Sequence, residues 1–598
     1  MLIKLTMANI KSHIRDYIVL LTGLVMSAAI FYMFANLATN QNLIKANVNF
    51  KYASIVFVFG LILLAIITFV YVMYANRFLL NMRQHDYGLF MMLGAKKSRV
   101  SRLLVLETLL VGAIATTIGI ILGVVVTGGL SGWLFKSLGL TIKHFNPLYL
   151  KAIIVTLILF IGLFIIAALM NLRQMIKTPV LKLLKEADTV DRVNFKPARL
   201  VLQTVLGVIL LAIGYWAMAS IAILQVASIP IALVTITLGS YLVFHAVMLL
   251  VLTLLKRTNW AIKGLNGFTL SQIMFRVHDY TKILTVTSLL FAMALGAITV
   301  GTGFRRDIPL IAKNSSAYTM AINDADQSQK RQISQLADVK TVTYRQKNTK
   351  KVTYYLQSEF TKHPFKTTVP GKDPHTAAKY KDTTTKQLTH NQEYEFGYMS
   401  GTPTPMSAKF VSASQFAKIN AKPGKVTLVT VKDIPANYQK LVKLNDSQLK
   451  KHPIGVEGAL GFGAFTTYQL SIGIFGGLEF VGYFLGIAFL AMLASCLMFK
   501  ILSGATQDQI RYRMLAKIGA RQNLLKRSIS REILVLFALP AVLGVIDVLF
   551  GLQLFKPLMS DPYYQIGWII LIFVLIYLVY YVLTVWLYRL LVLPNKKA

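Results

Sequence analysis

Ten long apolar runs constrain this chain more than any other feature of its sequence. A helix needs about 20 apolar residues to cross a hydrocarbon core about 30 Å thick. Runs of that kind occupy residues 17–38, 52–76, 103–135, 148–172, 198–220, 228–255, 283–303, 471–499, 532–552 and 565–588. The sequence therefore predicts an α-helical polytopic membrane protein with ten transmembrane helices.

The composition agrees with a surface that faces lipid. Only 15% of the 598 residues are charged and the mean hydropathy is +0.58, whereas soluble domains carry about 25% charged residues. The single cysteine, Cys496, lies inside an apolar run. The sequence therefore predicts neither a disulfide framework nor a cysteine-based metal site.

The distribution of basic residues predicts the orientation. One alternate set of loops (1–16, 76–102, 173–199, 256–282, 500–531 and 589–598) holds 32 lysines and arginines, and the short loops of the other set hold six. Because lysine and arginine concentrate in cytoplasmic loops, we expect a multi-pass protein of the cell membrane with both termini in the cytoplasm. This placement also explains the net charge of +39 without nucleic-acid binding. We expect the first run to remain as a span and not to be cleaved as a signal peptide.

Two loops of the chain repeat one motif at a constant offset of 425 residues. The matched residues are Tyr87, Gly94, Ala95, Lys96 and Glu107 in the first loop and Tyr512, Gly519, Ala520, Arg521 and Glu532 in the second. A weaker match at an offset of 263 residues links Thr6 to Thr269, Asp16-Tyr17 to Asp279-Tyr280 and Thr22 to Thr285. The two offsets differ because the second copy carries an insertion, which predicts two related four-helix units.

The repeat predicts a division of the chain into five parts. These are a first unit with spans one to four (1–175), a linking helix pair (176–262), a seventh span that starts the second unit (263–303), an extracellular domain (304–470), and spans eight to ten (471–598).

Each repeated loop is interpreted as a short amphipathic helix, a Gly-Ala break and a basic helix that enters the next span. Glycine suits a helix C-terminus because it adopts positive φ without a steric penalty. Positive-inside topology explains the basic residues, but it does not predict Gly-Ala followed thirteen residues later by glutamate in both loops. Glu107 and Glu532 lie at membrane entries, where an unpaired carboxylate is costly. We expect each to bond a nearby basic side chain or to cap a helix.

The extracellular domain is expected to be mixed α/β. Residues 341–344, 352–356 and 426–431 are β-branched or alternating, which favours strands. Segments near 328–338 and 411–420 favour helices, the latter capped by Ser412 or Ser414. The stretch 366–410 is rich in Pro, Gly, Thr and Lys and is predicted to be a mobile loop.

The same domain has 25 basic and 12 acidic residues. Long translocated domains are largely exempt from the positive-inside rule, so topology does not explain this excess. One interpretation is that the domain holds a phosphate-bearing lipid head group, or a drug bound to one. A general basic bias is the equally weighted alternative. The candidate contacts are the densest group of lysines, Lys350, Lys351, Lys362, Lys366 and Lys372.

Three ionisable residues, His245, Glu479 and Asp547, fall within or near spans. Such groups are functional candidates by default, and the two acids would suit a proton path in a secondary transporter. We favour hydrogen bonding near the outer interface, because the three are scattered along the sequence. The chain has no paired carboxylates, triad or histidine cluster, so no catalytic residue and no metal site is predicted.

The repeated Tyr-x6-Gly-Ala-basic loop with its downstream glutamate resembles the FtsX-like permease domain of ABC transporters. Two such domains in a ten-span chain, with a large extracellular domain between helices seven and eight, resemble the bacitracin-resistance (Bce-type) permeases. The resemblance implies that the repeated loops, including Gly88, contact two copies of a separate cytosolic ABC ATPase, which binds the ATP and magnesium. Arg513 replaces that glycine in the second loop, which leaves the equivalence of the two contacts open.

The resemblance further implies resistance to, and sensing of, cell-wall-active antimicrobial peptides bound to lipid intermediates, with a membrane histidine kinase as partner. The chain itself has no G-x-x-x-x-G-K-[ST] loop, so it is not expected to hydrolyse ATP by P-loop chemistry or to carry a cofactor. Three alternatives remain open. These are an FtsX-type permease for lipoprotein extraction or control of a cell-wall hydrolase, a secondary transporter, and a sensor subunit without a transport role.

Overall fold

The structure is a computed structural model that describes residues 14–46, 48–137, 145–177, 179, 197–262, 265–369, 371, 376–385, 396, 398–402, 407–452 and 462–593. Within these ranges, ten helical segments are long and apolar enough to cross a membrane, which confirms the predicted fold class. Their helices are α1 (Ile14–Thr39), α2 (Val48–Met92), α3 (Lys97–Ser137), α4 (Leu150–Lys177), α5 (Pro197–Ala219), α6 (Ser228–Leu242, continued by the π-helical turn Val243–Val247 and by Met248–Lys256), α7 (Thr281–Ser315), α8 (Ala464–Ser503), α9 (Gln522–Gly551) and α10 (Ile566–Val592).

Short helices connect the long ones. They span Gln41–Ala46, Ile221–Leu224, Gln225–Ala227 (3-10), Asn259–Ile262, Asn266–Asp279, Ala505–Lys517 and Leu552–Phe555 (3-10).

Helix α8 lies at the centre of the bundle and packs most closely against α7. A Cβ atom added to Gly482 would lie 2.3 Å from the carbonyl oxygen of Ala297, and one added to Gly301 would lie 2.8 Å from the Cα of Glu479. Small residues allow membrane helices to approach backbone to backbone, where van der Waals contact replaces the hydrophobic effect as the source of stability. The two helices are therefore packed backbone to backbone.

Helices α5 and α6 form a hairpin at the side of the bundle. The Tyr215 hydroxyl on α5 donates a hydrogen bond to Asp547 on α9 at 2.7 Å, and its ring stacks on Phe550 with centroids 4.2 Å apart. This contact anchors the hairpin to α9.

The segment between α7 and α8 forms a small mixed α/β domain, here called the sheet domain. Its strands are β1 (Met320–Asn323), β2 (Val339–Asn348), β3 (Val352–Leu356), β4 (Phe365–Val369), β5 (Lys379–Thr383), β6 (Ser407–Val411) and β7 (Pro423–Val431). Its helices span Gln327–Ser334, Gln357–Lys362, Ala413–Lys418 and Ile434–Lys451. Among the described residues, the main sheet has the order β1-β7-β2-β3-β6, with β3 and β6 parallel and its other pairs antiparallel, and β4 pairs with β5 separately.

The sequence predictions for this domain are confirmed for its main strands and wrong for part of the stretch 366–410. The three predicted strands fall in β2, β3 and β7, and Ser412 forms a capping box with Gln415. The composition of 366–410 predicts a mobile loop, but the described residues of this stretch include β4 from Lys366 onward, all of β5 and most of β6. Threonine is β-branched and suits strands, and the hydroxyls of Thr367 and Thr383 hydrogen-bond across β4 and β5 at 2.6 Å.

The sheet domain is joined directly to the ends of α7 and α8. The first two backbone N–H groups of α8, of Ala464 and Phe465, donate hydrogen bonds to the carbonyls of Tyr318 and Thr319, each at 2.9 Å. One buried apolar cluster then continues from the sheet into the helices; it includes Ile322, Val429, Leu441, Ile308 and Ile472. The sheet domain and the α7–α8 pair therefore share hydrogen bonds and one apolar core.

Candidate functional site

The first repeated loop connects α2 to α3 through a glycine turn. Gly94 has a φ of +90°, and its N–H donates to the Met91 carbonyl at 3.1 Å, while the N–H of Ala95 donates to the Phe90 carbonyl at 2.9 Å. These two bonds define a Schellman motif, which satisfies carbonyls at a helix end. The predicted role of the glycine is confirmed.

The second repeated loop, before α9, has the same geometry. Gly519 has a φ of +95°, its N–H donates to the Ala516 carbonyl at 3.1 Å, and the N–H of Ala520 donates to the Leu515 carbonyl at 3.0 Å. Each of these residues is 425 positions after its counterpart. The sequence repeat is therefore also a repeat of backbone structure.

The basic residue after each turn begins the next helix. The carbonyl of Lys96 accepts from the N–H of Arg99 at 2.9 Å, and the carbonyl of Arg521 accepts from the N–H of Leu524 at the same distance. The side chains of Lys96 and Arg521 are exposed. Each turn thus presents a cation beside the glycine.

An apolar side chain is exposed at each turn. Leu93 is 85% exposed and Ile518, at the equivalent position, is 83% exposed. Both residues lie beyond the spans Ala53–Asn76 and Ala464–Ser503 that precede them. An exposed apolar side chain beside a cation therefore occurs at the same position in both repeats.

The predicted short amphipathic helix is found in only one of the two loops. In the second loop, Gly504 separates α8 from the helix Ala505–Lys517. In the first loop, α2 runs without a break to Met92, so the prediction is wrong there. Gly88 lies buried inside that continuous helix. A single glycine weakens a helix without ending it.

A buried tyrosine and a buried glutamate meet behind each turn. Tyr87 donates a hydrogen bond to Glu107 at 2.9 Å, and Tyr512 donates one to Glu532 at 3.2 Å. Arg83 also lies 3.4 Å from Glu107. The expectation that Glu107 bonds a nearby basic residue is thus confirmed.

In the second repeat the glutamate belongs to a larger ionic cluster. The guanidinium of Arg276, in the helix Asn266–Asp279, forms ion pairs with both Glu532 and Asp508 and donates a hydrogen bond to Asp508. Tyr588 of α10 donates to Asp508, and Arg511 lies 3.2 Å from the same carboxylate. We call Arg276, Asp508, Glu532 and Tyr588 the ionic cluster. It joins four helices, and it confirms the expected basic partner of Glu532.

The two repeats draw their arginine from different helices. Arg83 corresponds to Asp508 at the offset of 425, and Arg276 corresponds to His13 at the offset of 263. The structure of His13 lies outside the described residues. Sequence reasoning missed this exchange, although the charge reversal between positions 83 and 508 was visible in the repeat alignment.

Burial raises the pKa of the Tyr87 phenol to about 12, although Arg83 opposes the shift. Burial also raises the pKa of Tyr512. Both tyrosines lie outside the spans and remain protonated near neutral pH. Each phenol is therefore a permanent donor to its glutamate.

The candidate lysines of the sheet domain lie on different elements. Lys350 and Lys351 occupy the turn between β2 and β3, Lys362 ends the helix Gln357–Lys362, and Lys366 lies in β4. All four side chains are exposed. Lys372 lies outside the described residues.

The ionisable residues of the spans contact side chains of neighbouring helices. Glu479 of α8 forms an ion pair with Arg305 of α7 at 2.6 Å, and Asp547 accepts the hydrogen bond from Tyr215. These contacts confirm the prediction that the two acids form hydrogen bonds. His245 lies in the π-helical turn of α6, stacked on Tyr241 and 5.1 Å from the His278 ring.

Comparison with known proteins agrees with these features. Residues 58–180 match the FtsX-like permease C-terminal family. The chain is 23% identical over 310 residues to the bacitracin export permease protein BceB of Bacillus subtilis, which covers 50% of this chain and 47% of that protein. It is also 23% identical over 594 residues to the ABC transporter permease protein YxdM of Bacillus subtilis, covering 91% of this chain and 92% of YxdM.

A second BceB, from Halalkalibacterium halodurans, is 22% identical over 308 residues, or 47% of its length. The match thus spans about half of the BceB proteins and nearly all of YxdM. The chain contains an FtsX-like permease domain and is homologous, at modest identity, to Bce-type permeases. This similarity, together with the ten apolar helices among the described residues, supports an ABC transporter permease that is a multi-pass membrane protein.

Proposed function

We propose that this chain is the permease of an ABC transporter that releases cell-wall-active antimicrobial peptides from their lipid target. ATP hydrolysis is supplied by two copies of a separate cytosolic ATPase. The complex confers resistance and reports peptide load to a membrane histidine kinase. Its relatives BceB carry bacitracin export in their names, and this chain is proposed to act on the same class of compound.

One observation carries the proposal. The two glycine turns share φ, hydrogen bonds and an exposed apolar residue, and both lie at the same end of the bundle, opposite the sheet domain. Two equivalent sites fit two copies of one partner. We infer that Leu93 and Ile518 insert into apolar pockets of the two ATPases, with Lys96 and Arg521 beside them.

The path from the ATPase to the sheet domain runs through the α7–α8 pair. Helix α8 has 40 residues, which at 1.5 Å per residue is about 60 Å long. It begins at the sheet domain and ends at the segment that carries the second turn. Motion imposed on that turn therefore reaches the sheet without a continuous pore.

The contacts of the acidic residues in the spans do not favour secondary transport. Glu479 is paired with Arg305 and Asp547 accepts from Tyr215, and these two contacts lie on different helix pairs. A proton path needs groups that exchange protons with one another. Both acids have partners that fix neighbouring helices instead.

Resistance profiling tests the proposal. A strain that lacks the chain is complemented with the natural sequence, with Leu93→Asp plus Ile518→Asp, or with Leu93→Met plus Ile518→Met as the matched control. The minimum inhibitory concentration is measured for a panel of cell-wall-active peptides and, as a control, for an antibiotic that does not act on the membrane. We expect sensitivity to at least one peptide, restored by the natural chain and the methionine control but not by the aspartate variant. Equal resistance of the deletion and complemented strains to every peptide would contradict the proposal.

A further inference from the structure

A cavity of about 630 Å³ opens between α3 and the α7–α8–α10 side of the bundle. Its wall includes Leu130 of α3, Ile298 of α7, Leu490 of α8 and Ile572 of α10. All of these residues lie within candidate spans. We call this space the lateral cavity.

The lateral cavity lies between α3 and α8. The Trp133 side chain of α3 crosses the gap, with its ring centroid 6.0 Å from that of Phe480 and 6.3 Å from that of Tyr483. On the opposite wall, a Cβ atom on Gly486 would lie 2.5 Å from Ile298. The absence of a side chain there lets α7 and α8 close the back of the cavity.

A charged group lies just above the apolar wall. Arg305 is three residues beyond Thr302, which lines the cavity, so it is about one helical turn nearer the sheet domain. Its side chain is 40% exposed while it pairs with Glu479. Guanidinium has five N–H donors, so Arg305 can keep that ion pair and also donate to a phosphate.

We propose that the lateral cavity binds one hydrocarbon chain of a phosphate-headed membrane lipid, with the phosphate held by Arg305. The volume lies in the range of about 300–1,000 Å³ that is usual for ligand sites. An apolar wall gives water few partners, and the medium beside these spans is lipid. The site is separate from whatever the sheet domain binds, so it goes beyond the proposed function.

Native mass spectrometry of the full chain in mild detergent tests this site. The probes are dioleoyl phosphatidylglycerol and dioleoylglycerol, which have the same chains but differ in phosphate. We expect the natural chain to retain one phosphatidylglycerol and to prefer it at least fivefold over dioleoylglycerol. Arg305→Gln is expected to abolish that preference.

Two matched variants separate the cavity from the general lipid-facing surface. Ile572→Trp fills the lateral cavity, whereas Ile158→Trp adds the same bulk on the exposed face of α4, where Ile158 is 69% exposed. We expect the first to lower lipid retention at least fivefold and the second to leave it unchanged. Equal retention by both variants would overturn the proposal.

Photo-crosslinking gives a measurement on the unmodified chain, independent of how the variants fold. A phosphatidylglycerol with a diazirine in its chain is titrated into the detergent-solubilised protein and competed with unlabelled lipid. We expect saturable crosslinks within residues 483–490 and 566–576. Crosslinks that do not saturate, or that spread evenly over α4 and α5, would overturn the assignment.

Discussion

Arg83 and Asp508 occupy equivalent positions 425 residues apart and carry opposite charges. Arg83 pairs with Glu107 within the first repeat. Asp508 instead pairs with Arg276, which also neutralises Glu532. The first turn is therefore held by a local contact, while the second is tied to α10 and to the helix before α7. The two turns share an outer shape and differ in what they are attached to.

The exchange of charges between the repeats predicts that Asp508→Arg restores stability lost on replacement of Arg276. Arg276→Gln leaves Glu532 and Asp508 buried without their common arginine, and breaking a buried pair in this way costs about 3–5 kcal/mol. Adding Asp508→Arg removes one carboxylate and supplies a cation from the position used in the first repeat. We expect the double variant to recover at least half of the lost thermal stability, measured by fluorescence-detected size exclusion after heating.

The control for this rescue is Arg513→Gln, an exposed change on the same short helix, which is expected to be neutral. Asp508→Arg alone places two arginines together and should be less stable than the double variant. A double variant no more stable than Arg276→Gln would show that the ionic cluster does not act through charge balance.

The geometry of the glycine turns predicts that substitutions of these glycines act through backbone φ and not through side-chain size. A Cβ atom on Gly94 or Gly519 would have no neighbour within 4 Å among the described residues, so an effect of substitution comes from the positive φ. Alanine in this conformation costs about 1–2 kcal/mol, whereas asparagine tolerates it better. We expect Gly94→Asn to keep more peptide resistance than Gly94→Ala. The reverse order, at equal expression, would argue against a turn-geometry requirement.

The hydrogen bond from Tyr87 to Glu107 predicts a contribution to stability that is constant near neutral pH. Removal of a hydrogen bond to a charged group costs about 1.5–3 kcal/mol, which is the loss expected for Tyr87→Phe. The folded-state pKa of about 12 lies above the unfolded value of about 10. The stabilisation is therefore fully present below pH 10 and is lost as the pH rises towards 12. The melting-temperature difference between variant and natural chain should stay constant from pH 6 to 9; a marked change there would contradict the assigned donor role.

The close contact of α7 and α8 predicts that a larger residue at the contact lowers the stability of the protein. Gly482→Ala would place a Cβ 2.3 Å from the Ala297 carbonyl oxygen, and overpacking costs about 1–3 kcal/mol. Gly162→Ala on α4 is the matched control, because a Cβ atom added there would meet no atom of the described residues within 4 Å. We expect the first change to lower the melting temperature and the second to leave it unchanged or raise it. Equal effects would refute the tight pairing.

Apolar run length and the loop repeat predict the spans and both glycine turns. These features are local, because span length and helix ends depend on neighbouring residues in the sequence. The strands of the sheet domain are found where β-branched residues alternate. The loop prediction for 366–410 is wrong for β4 and β5, because their threonine- and lysine-rich composition is also typical of loops and their pairing depends on the fold.

The ionic cluster and the lateral cavity are not predicted by the sequence, since each brings together residues from distant parts of the chain. Arg276 and Glu532 are 256 residues apart in sequence, and only packing shows that one arginine bridges two carboxylates. The cavity is lined by residues of four helices, and no sequence pattern describes how those helices pack. The functions of the exposed lysines likewise stay predictions.

The stoichiometry of ATPase binding tests the central claim most directly. The affinity-tagged chain is purified from its native membrane in mild detergent and its complexes are weighed by native mass spectrometry. Two ATPase copies per chain are predicted for the natural sequence, one for Leu93→Asp or Ile518→Asp, and none for the double variant. A natural chain without a P-loop ATPase, or two retained copies in the double variant, would contradict the assignment of the glycine turns as the paired docking sites.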